Sequence, residues 1–447
     1  MKKIFLICLC VICSCLLPAQ PTYTLDSCLS LALQQNVKIK NKLLQIDMAR
    51  QTKKEAFANY FPKVSASLLG LYGSTKGTVN LNMELSVDPM NIPLLNITTP
   101  AFTFPSFNTN IDYSFIQYGY SAGIKAIQPL FVGGQIYYGN RLAKIGVKAE
   151  ELQLTLTQYE IKQKVEEYFW QIVYLKEQQK TIRIIQEQLS QISKDAGVAV
   201  QAGVVHTNDL LKIQLKEKEL EAARLKVENG IRMLSLSLRQ YTGIKERDFN
   251  IIYDSLTMPE HPSIYYVNPE EAVSKRIENK LLSYQVEASK LQTKMEIGKK
   301  LPTIAVGSTY MYTDLSNIDN QSGVIFGTLS VPLSDWWGGG HTIKKHKLQE
   351  KISQNEYQNT LELLYLQTEQ AWNELNESYL QIEIAETAIA AAQENLKTTG
   401  DCYQAGTATL STLLEAQTLL QQAHTQFLEA YTNYYKKRTV YWQLTGR

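Results

Sequence analysis

Several things are missing from this chain, and each absence removes a class of function. Past the amino-terminal stretch there is no apolar run of about 18 residues, so nothing reads as a transmembrane helix. Cysteine is nearly absent from the body of the protein: Cys8, Cys10, Cys13 and Cys15 sit together at the start, leaving Cys28 and Cys402. Two thiols at unrelated positions make neither a disulfide framework nor a zinc site. The five histidines are scattered; His341 and His346 are five apart on a helical pattern and share no face. The formal charge is only +2, and Lys2 with Lys3 account for it, so there is no basic footprint for nucleic acid. No phosphate loop or nucleophile motif occurs, and paired acids lie only on helix surfaces. No enzyme, metal or cofactor is expected.

What is present begins with an export signal over residues 1–19. Lys2-Lys3 precede an apolar run from Ile4 to Leu17, too short to span a bilayer comfortably. Cleavage after Ala19 suits Leu-Leu-Pro-Ala-Gln; the alternative is a lipoprotein box, Ile12-Cys13-Ser14-Cys15, with Cys15 acylated.

The rest of the chain is a duplication. Val200 to Leu211 reads VQAGVVHTNDLL and Tyr403 to Leu414 reads YQAGTATLSTLL, which sets Gly203 against Gly406 at an offset of 203. The same offset pairs Pro129 with Pro332 and Thr242-Gly243 with Thr445-Gly446. Repeat 1 spans 20–243 and repeat 2 spans 269–447, with a connector over 244–268 containing Pro259 and Pro262. Each repeat opens with a helix, 25–61 and 269–300, related by an offset of 240 that sets Pro62 against Pro302. Asn268-Pro269-Glu270-Glu271 is a helix start: a capping Asn, then Pro in the first turn, then Glu.

After each of these prolines the apolar period changes from 3.6 to 2. Tyr118, Tyr120, Ala122, Ile124 and Ala126 alternate with polar or small residues, as do Ile304, Val306, Tyr310 and Tyr312, and Ile325, Leu329, Val331 and Leu333. This predicts two strand hairpins, 62–130 and 302–333. Half-buried soluble sheets and membrane strands share that alternation. The export signal and the aromatics Tyr72, Tyr113, Trp336 and Trp337 favour the membrane. Between Pro62 and Pro129 the offset drops by 37, so hairpin 1 holds extra residues. They fall around 76–110, a stretch with four prolines and little periodicity, expected to be a long extracellular loop.

Gly133-Gly134 and Gly338-Gly339-Gly340 are expected to end the strands and release two long helical hairpins, 134–242 and 340–445. Ile161, Val165, Tyr168, Ile172, Leu175, Ile182 and Leu189 recur near the coiled-coil spacing, so the first long helix must pack along other rods. Its many glutamines suit a solvated face. The fold class is therefore α+β: four strands plus two helical hairpins per chain. Four strands cannot close a membrane barrel, and open edges in lipid cost several kcal/mol per unpaired group, so membrane strands would require oligomers.

The order of signal, helix, strand hairpin, long helix, Tyr-x-x-Gly turn and returning helix, run twice, resembles the TolC family of outer-membrane efflux proteins. The resemblance covers the mature chain. It implies a homotrimer with a twelve-stranded barrel among outer-membrane lipids and a helical tunnel reaching into the periplasm. It also implies partnership with a periplasmic adaptor (membrane fusion) protein and an inner-membrane pump of RND or ABC type. The chain would be the passive exit duct of an efflux or type I secretion system. An exported coiled-coil scaffold without channel activity is the alternative.

The resemblance also places a gate at the two tip turns, around Gly203 and Gly406. Tyr403 matches a gating Tyr and Asp209 an acidic tip residue, with Glu415 one turn inside the second helix as a further candidate. Three copies of Asp209 would form a negative ring. Ala408 and Thr412 depart from the family pattern of Arg and Asp, so an Arg-centred latch is missing and the gate should be held less tightly. A plainer reading is open: Asp209 and Thr412 are repeat equivalents suited to helix N-caps, and Thr412 with Glu415 spells a capping box.

Overall fold

A computed structural model describes residues 21–72, 77–87, 91–92, 97–98, 102–113, 118–201, 206–315, 318–333 and 335–447. The expected signal with Cys15, and the tip glycine Gly203, lie outside the described residues. The helices are α1 (Leu25–Gln35), α2 (Val37–Ala58), α3 (Gln135–Gln201), α4 (Thr207–Thr242), α5 (Pro269–Lys275), α6 (Ile277–Gly298), α7 (Asp335–Gln404) and α8 (Leu410–Thr445). The strands are β1 (Thr22–Tyr23), β2 (Lys63–Tyr72), β3 (Gly77–Val87), β4 (Asn91–Ile92), β5 (Ile97–Thr98), β6 (Phe102–Tyr113), β7 (Tyr118–Val132), β8 (Asn250–Ile251), β9 (Thr303–Leu315) and β10 (Ile318–Ser330). No helix among the described residues is long and apolar enough to cross a membrane.

The chain divides into two compact units. One comprises 41–155 and 277–363 and holds an antiparallel sheet of order β10-β9-β7-β2. Register explains what the alternation is for. Ala66, Ile124, Tyr310 and Gly323 stand opposite one another across the four strands, as do Val64, Ala126, Ser308 and Ile325. Directly opposed residues share a face, so the apolar sets of both hairpins merge into one. Leu68, Tyr72, Ile325 and Leu329 are all exposed on it, Tyr72 and Ile325 at 88%. The opposite face carries Ser65, Lys125, Thr309, then Leu69, Ser121, Thr313 and Asn320. There Ser121 and Thr313 hydroxyls meet at 3.4 Å.

The segment expected to be a loop carries a ladder of its own, β3 with β6. Its register breaks between Met83 and Leu85, opposite the Pro105-Ser106 step. Proline has no N–H to donate, so it is tolerated in a strand where the ladder is already interrupted. In β3 itself Val79, Leu81, Met83, Leu85 and Val87 alternate with polar residues, a strand signal set among the prolines of the segment.

Three helix boundaries also differ from expectation. The single opening helices each break in two, at Asn36 and at Arg276, which are 240 apart and so equivalent. Both residues take extended backbone. The Asn36 amide donates to Tyr241 O at 2.9 Å, and the Arg276 guanidinium points to Leu364 O at 3.4 Å. These bonds tie each break to a neighbouring helix, and at the first break Asn36 Oδ1 also accepts from Lys38 N at 2.9 Å, replacing a lost helical bond. Gly338–Gly340 do not precede the third long helix; they lie inside it, in α7. In repeat 1 the glycines do mark the junction: Gly133 and Gly134 have φ of +62° and +76°. A Cβ on Gly133 would lie 2.0 Å from Gly298 O, so the end of β7 and the end of α6 meet backbone to backbone.

The other unit, 1–40, 156–276 and 364–447, holds the rest of the long hairpins. Its main core joins Leu375, Tyr379 and Ile382 of α7 to Tyr431, Tyr434 and Tyr441 of α8. Trp170 stacks on Tyr435 at 4.1 Å, and Arg438 lies 4.4 Å from the Tyr435 ring and 4.3 Å from the Trp442 ring. The connector is docked here. Tyr434 donates its hydroxyl to Glu260 O at 2.8 Å, and Val267 N donates to the Tyr441 hydroxyl at 3.0 Å.

Candidate functional site at the hairpin tips

Both hairpins turn over the same number of residues. α3 ends at Gln201 and α4 begins at Thr207; α7 ends at Gln404 and α8 begins at Leu410. In the second turn Gly406 has φ +71°, the left-handed region in which a side chain is strained. The Cys402 carbonyl accepts from Thr407 N at 2.9 Å, Ala408 N at 3.2 Å and the Thr407 hydroxyl at 3.0 Å. Cys402 and Cys28 are both free thiols; burial pushes the Cys28 thiol up to about 11.

The plain capping reading of Asp209 and Thr412 needs correction. The N-caps are His206 and Thr409, three residues earlier. Thr409 Oγ1 accepts from Thr412 N at 3.3 Å, while His206 makes no side-chain cap bond. Thr412 is therefore the donor to a cap, and Glu415 closes no capping box with it. Thr409 was available in the sequence as a cap; the apolar Leu410 after it marks the first helical turn.

Asp209 and Tyr403 come together. Leu210, Leu414, Ile192 and Tyr403 pack on a tip core of Ile185, Leu189, Ile213, Leu220 and Leu410, which draws on both repeats. Burial raises the Tyr403 hydroxyl above its ordinary pKa, with the negative charges of Asp209 and Asp195 adding to it. The phenol stays neutral and can donate. Glu415 is exposed, and no described contact ties it to Tyr403. The residue that motif reading missed is Lys212. Its Nζ is 3.2 Å from Asp209 Oδ1 and 3.0 Å from Ser411 Oγ, so it links the first hairpin to the second. Each Asp209 thus carries its own counter-ion, in a half-exposed pair of the kind worth up to about 1 kcal/mol.

Among known proteins, residues 283–447 match the family model described as outer membrane efflux protein. No curated relative matches the chain in sequence. Solved structures match nearly throughout. The Campylobacter jejuni CmeC outer membrane channel is 15% identical with a TM-score of 0.76, covering 94% of this chain and 85% of its own. VceC, the Vibrio cholerae outer membrane protein, is 13% identical with a TM-score of 0.72, covering 94% and 96%. The open state of the Neisseria gonorrhoeae MtrE outer membrane channel is 12% identical with a TM-score of 0.70, covering 94% and 88%. This chain has the outer membrane efflux protein fold. The TolC-like fold extends through both repeats, whereas the family model reaches only the second.

Proposed function

We propose that this chain is the outer-membrane exit duct of a tripartite efflux or secretion system, working as a homotrimer. The register of the four-stranded sheet carries the reading. Its apolar sets coincide on one face, and among the described residues its outer strands β2 and β10 have no partner on their far sides. In lipid such edges are costly, and closing three sheets into a twelve-stranded barrel removes them. The β3–β6 excursion between β2 and β7 lies on the outer side of the barrel, and the tips lie in the periplasm. The pump, of RND or ABC type, and its adaptor supply the energy; the chain supplies a path. Tyr403, Asp209 and Glu415 line the narrowest part of that path, and the Asp209 ring is offset by Lys212. Purified protein in planar bilayers tests this. Discrete conductance steps are expected, larger in Tyr403→Ala than in the parent. A reconstituted protein that passes no current in either form would overturn the duct reading.

A further inference from the structure

The face of the four-stranded sheet opposite the exposed apolar set carries charge of one sign. Lys125 of β7 stands level with Ser65, Thr309 and Val324 across the strands. Lys63 shares that face, level with Ile127, Gly307 and Phe326. The four strands hold two acids, Asp314 and Asp319, which oppose each other and Tyr120 on the apolar face. The half-buried Lys125 is also held in place. Phe326 lies across Gly307, where a Cβ would come within 2.5 Å of the ring. The bare glycine lets the ring cross β9 from β10 toward β7. There the Lys125 ammonium sits 6.0 Å from the ring centroid, at the reach of a cation–π attraction.

We infer that this face is a cationic sleeve in the closed barrel and that Lys125 sets its selectivity, favouring anionic cargo over cationic. The inference rests on the duct reading above. In a membrane barrel the apolar face meets lipid and the polar face lines the bore. Three chains then bring three Lys125 ammonium groups to one level, and rings of like charge are how pores discriminate by sign. Each Asp209 at the tips has Lys212 as its counter-ion, whereas no acid on this face of the four strands answers Lys125. Three charges roughly 10 Å from the axis, screened over about one Debye length, favour anions over cations about fivefold. Lys63, at the end of β2, adds the same sign.

Reversal potentials of the mature protein in planar bilayers, under a potassium chloride gradient, test this. The parent is expected to pass chloride about fivefold better than potassium. Lys125→Gln should bring that ratio most of the way to one, and Lys125→Arg should keep it. Phe326→Leu leaves the charge in the chain but frees the ammonium, so it should lower the ratio in part. That variant reads the position of the charge even where Lys125→Gln fails to assemble. Asp314→Asn, on the lipid face, should leave the ratio unchanged. A conducting parent that prefers potassium, or a Lys125→Gln variant with the parent's ratio, overturns the sleeve and leaves the duct standing. An Asp314→Asn shift as large as that of Lys125→Gln overturns the assignment of faces, and the sleeve with it. A parent that passes no current removes the duct reading and the sleeve together.

Discussion

Hairpins α3–α4 and α7–α8 end at positions related by one offset, 201 to 404, 207 to 410 and 242 to 445, yet their interiors are built from different residues. In α8, Tyr431, Tyr434, Tyr435, Tyr441 and Trp442 build an aromatic core on which the connector docks. The equivalent positions of α4 are Glu228, Ile231, Arg232, Leu238 and Arg239. The backbone frame of the repeat survives because helix length and turn length set where the tips fall. Side chains diverged because only one repeat has the connector to hold. The junctions differ in the opposite sense. Repeat 1 has Gly133 against the backbone of Gly298, whereas their repeat equivalents are Trp336 and Ala58.

The junction is where the comparison breaks most sharply. Gly133→Ala places a side chain at φ +62° and 2.0 Å from the Gly298 carbonyl oxygen. Stability should fall by on the order of 3 kcal/mol or more, since both backbone strain and a backbone clash must be relieved. Gly340→Ala, on an open helical face with no neighbour within 4 Å of the added atom, should be neutral or slightly stabilising. Thermal melts of the two variants check this; equal melting temperatures would mean the close approach is not made.

Much of this was legible because the repeat offset is a backbone property. Landmarks such as Gly203 with Gly406 and Pro129 with Pro332 located the hairpins, and the alternation around Ile124, Tyr310 and Ile325 located the sheet face that register then assembled. The breaks at Asn36 and Arg276 were hidden because neither residue is a helix breaker; each break depends on a side chain reaching a helix far away in sequence. Pro105 disguises β6, whereas β3 holds no proline and its alternation of Val79, Leu81, Met83, Leu85 and Val87 was legible. Lys212 belongs to no motif, and only the distance to Ser411 revealed it. Residues 283–447 kept enough sequence for a family model to match, and repeat 1 did not.

A smaller effect sharpens the comparison through one pair of repeat equivalents, Glu166 and Glu369. Glu166 is bonded by the Thr439 hydroxyl, and burial raises its pKa against the opposing pull of that bond and of Arg438 and Lys162. Glu369 accepts only a 3.4 Å bond from Tyr365. A raised carboxyl pKa means the folded state binds the proton more tightly than the unfolded chain. Stability is then greatest below the unfolded pKa and falls as pH rises to the folded value. Glu166→Gln removes that penalty and keeps an acceptor for Thr439. It should raise Tm slightly at pH 7, and the gain should vanish under acid conditions; Glu369→Gln should leave Tm unchanged at both. A pH-independent effect at Glu166 would mean that its charge is not what the core resists.

Among the described residues one chain leaves two strand edges open, those of β2 and β10. The native mass of the purified protein, with detergent subtracted and β content read from circular dichroism, tests that most directly. Three chains per particle are expected, with sheet content lost whenever the particle dissociates. A stable single chain that retains its full sheet content in detergent would contradict the account.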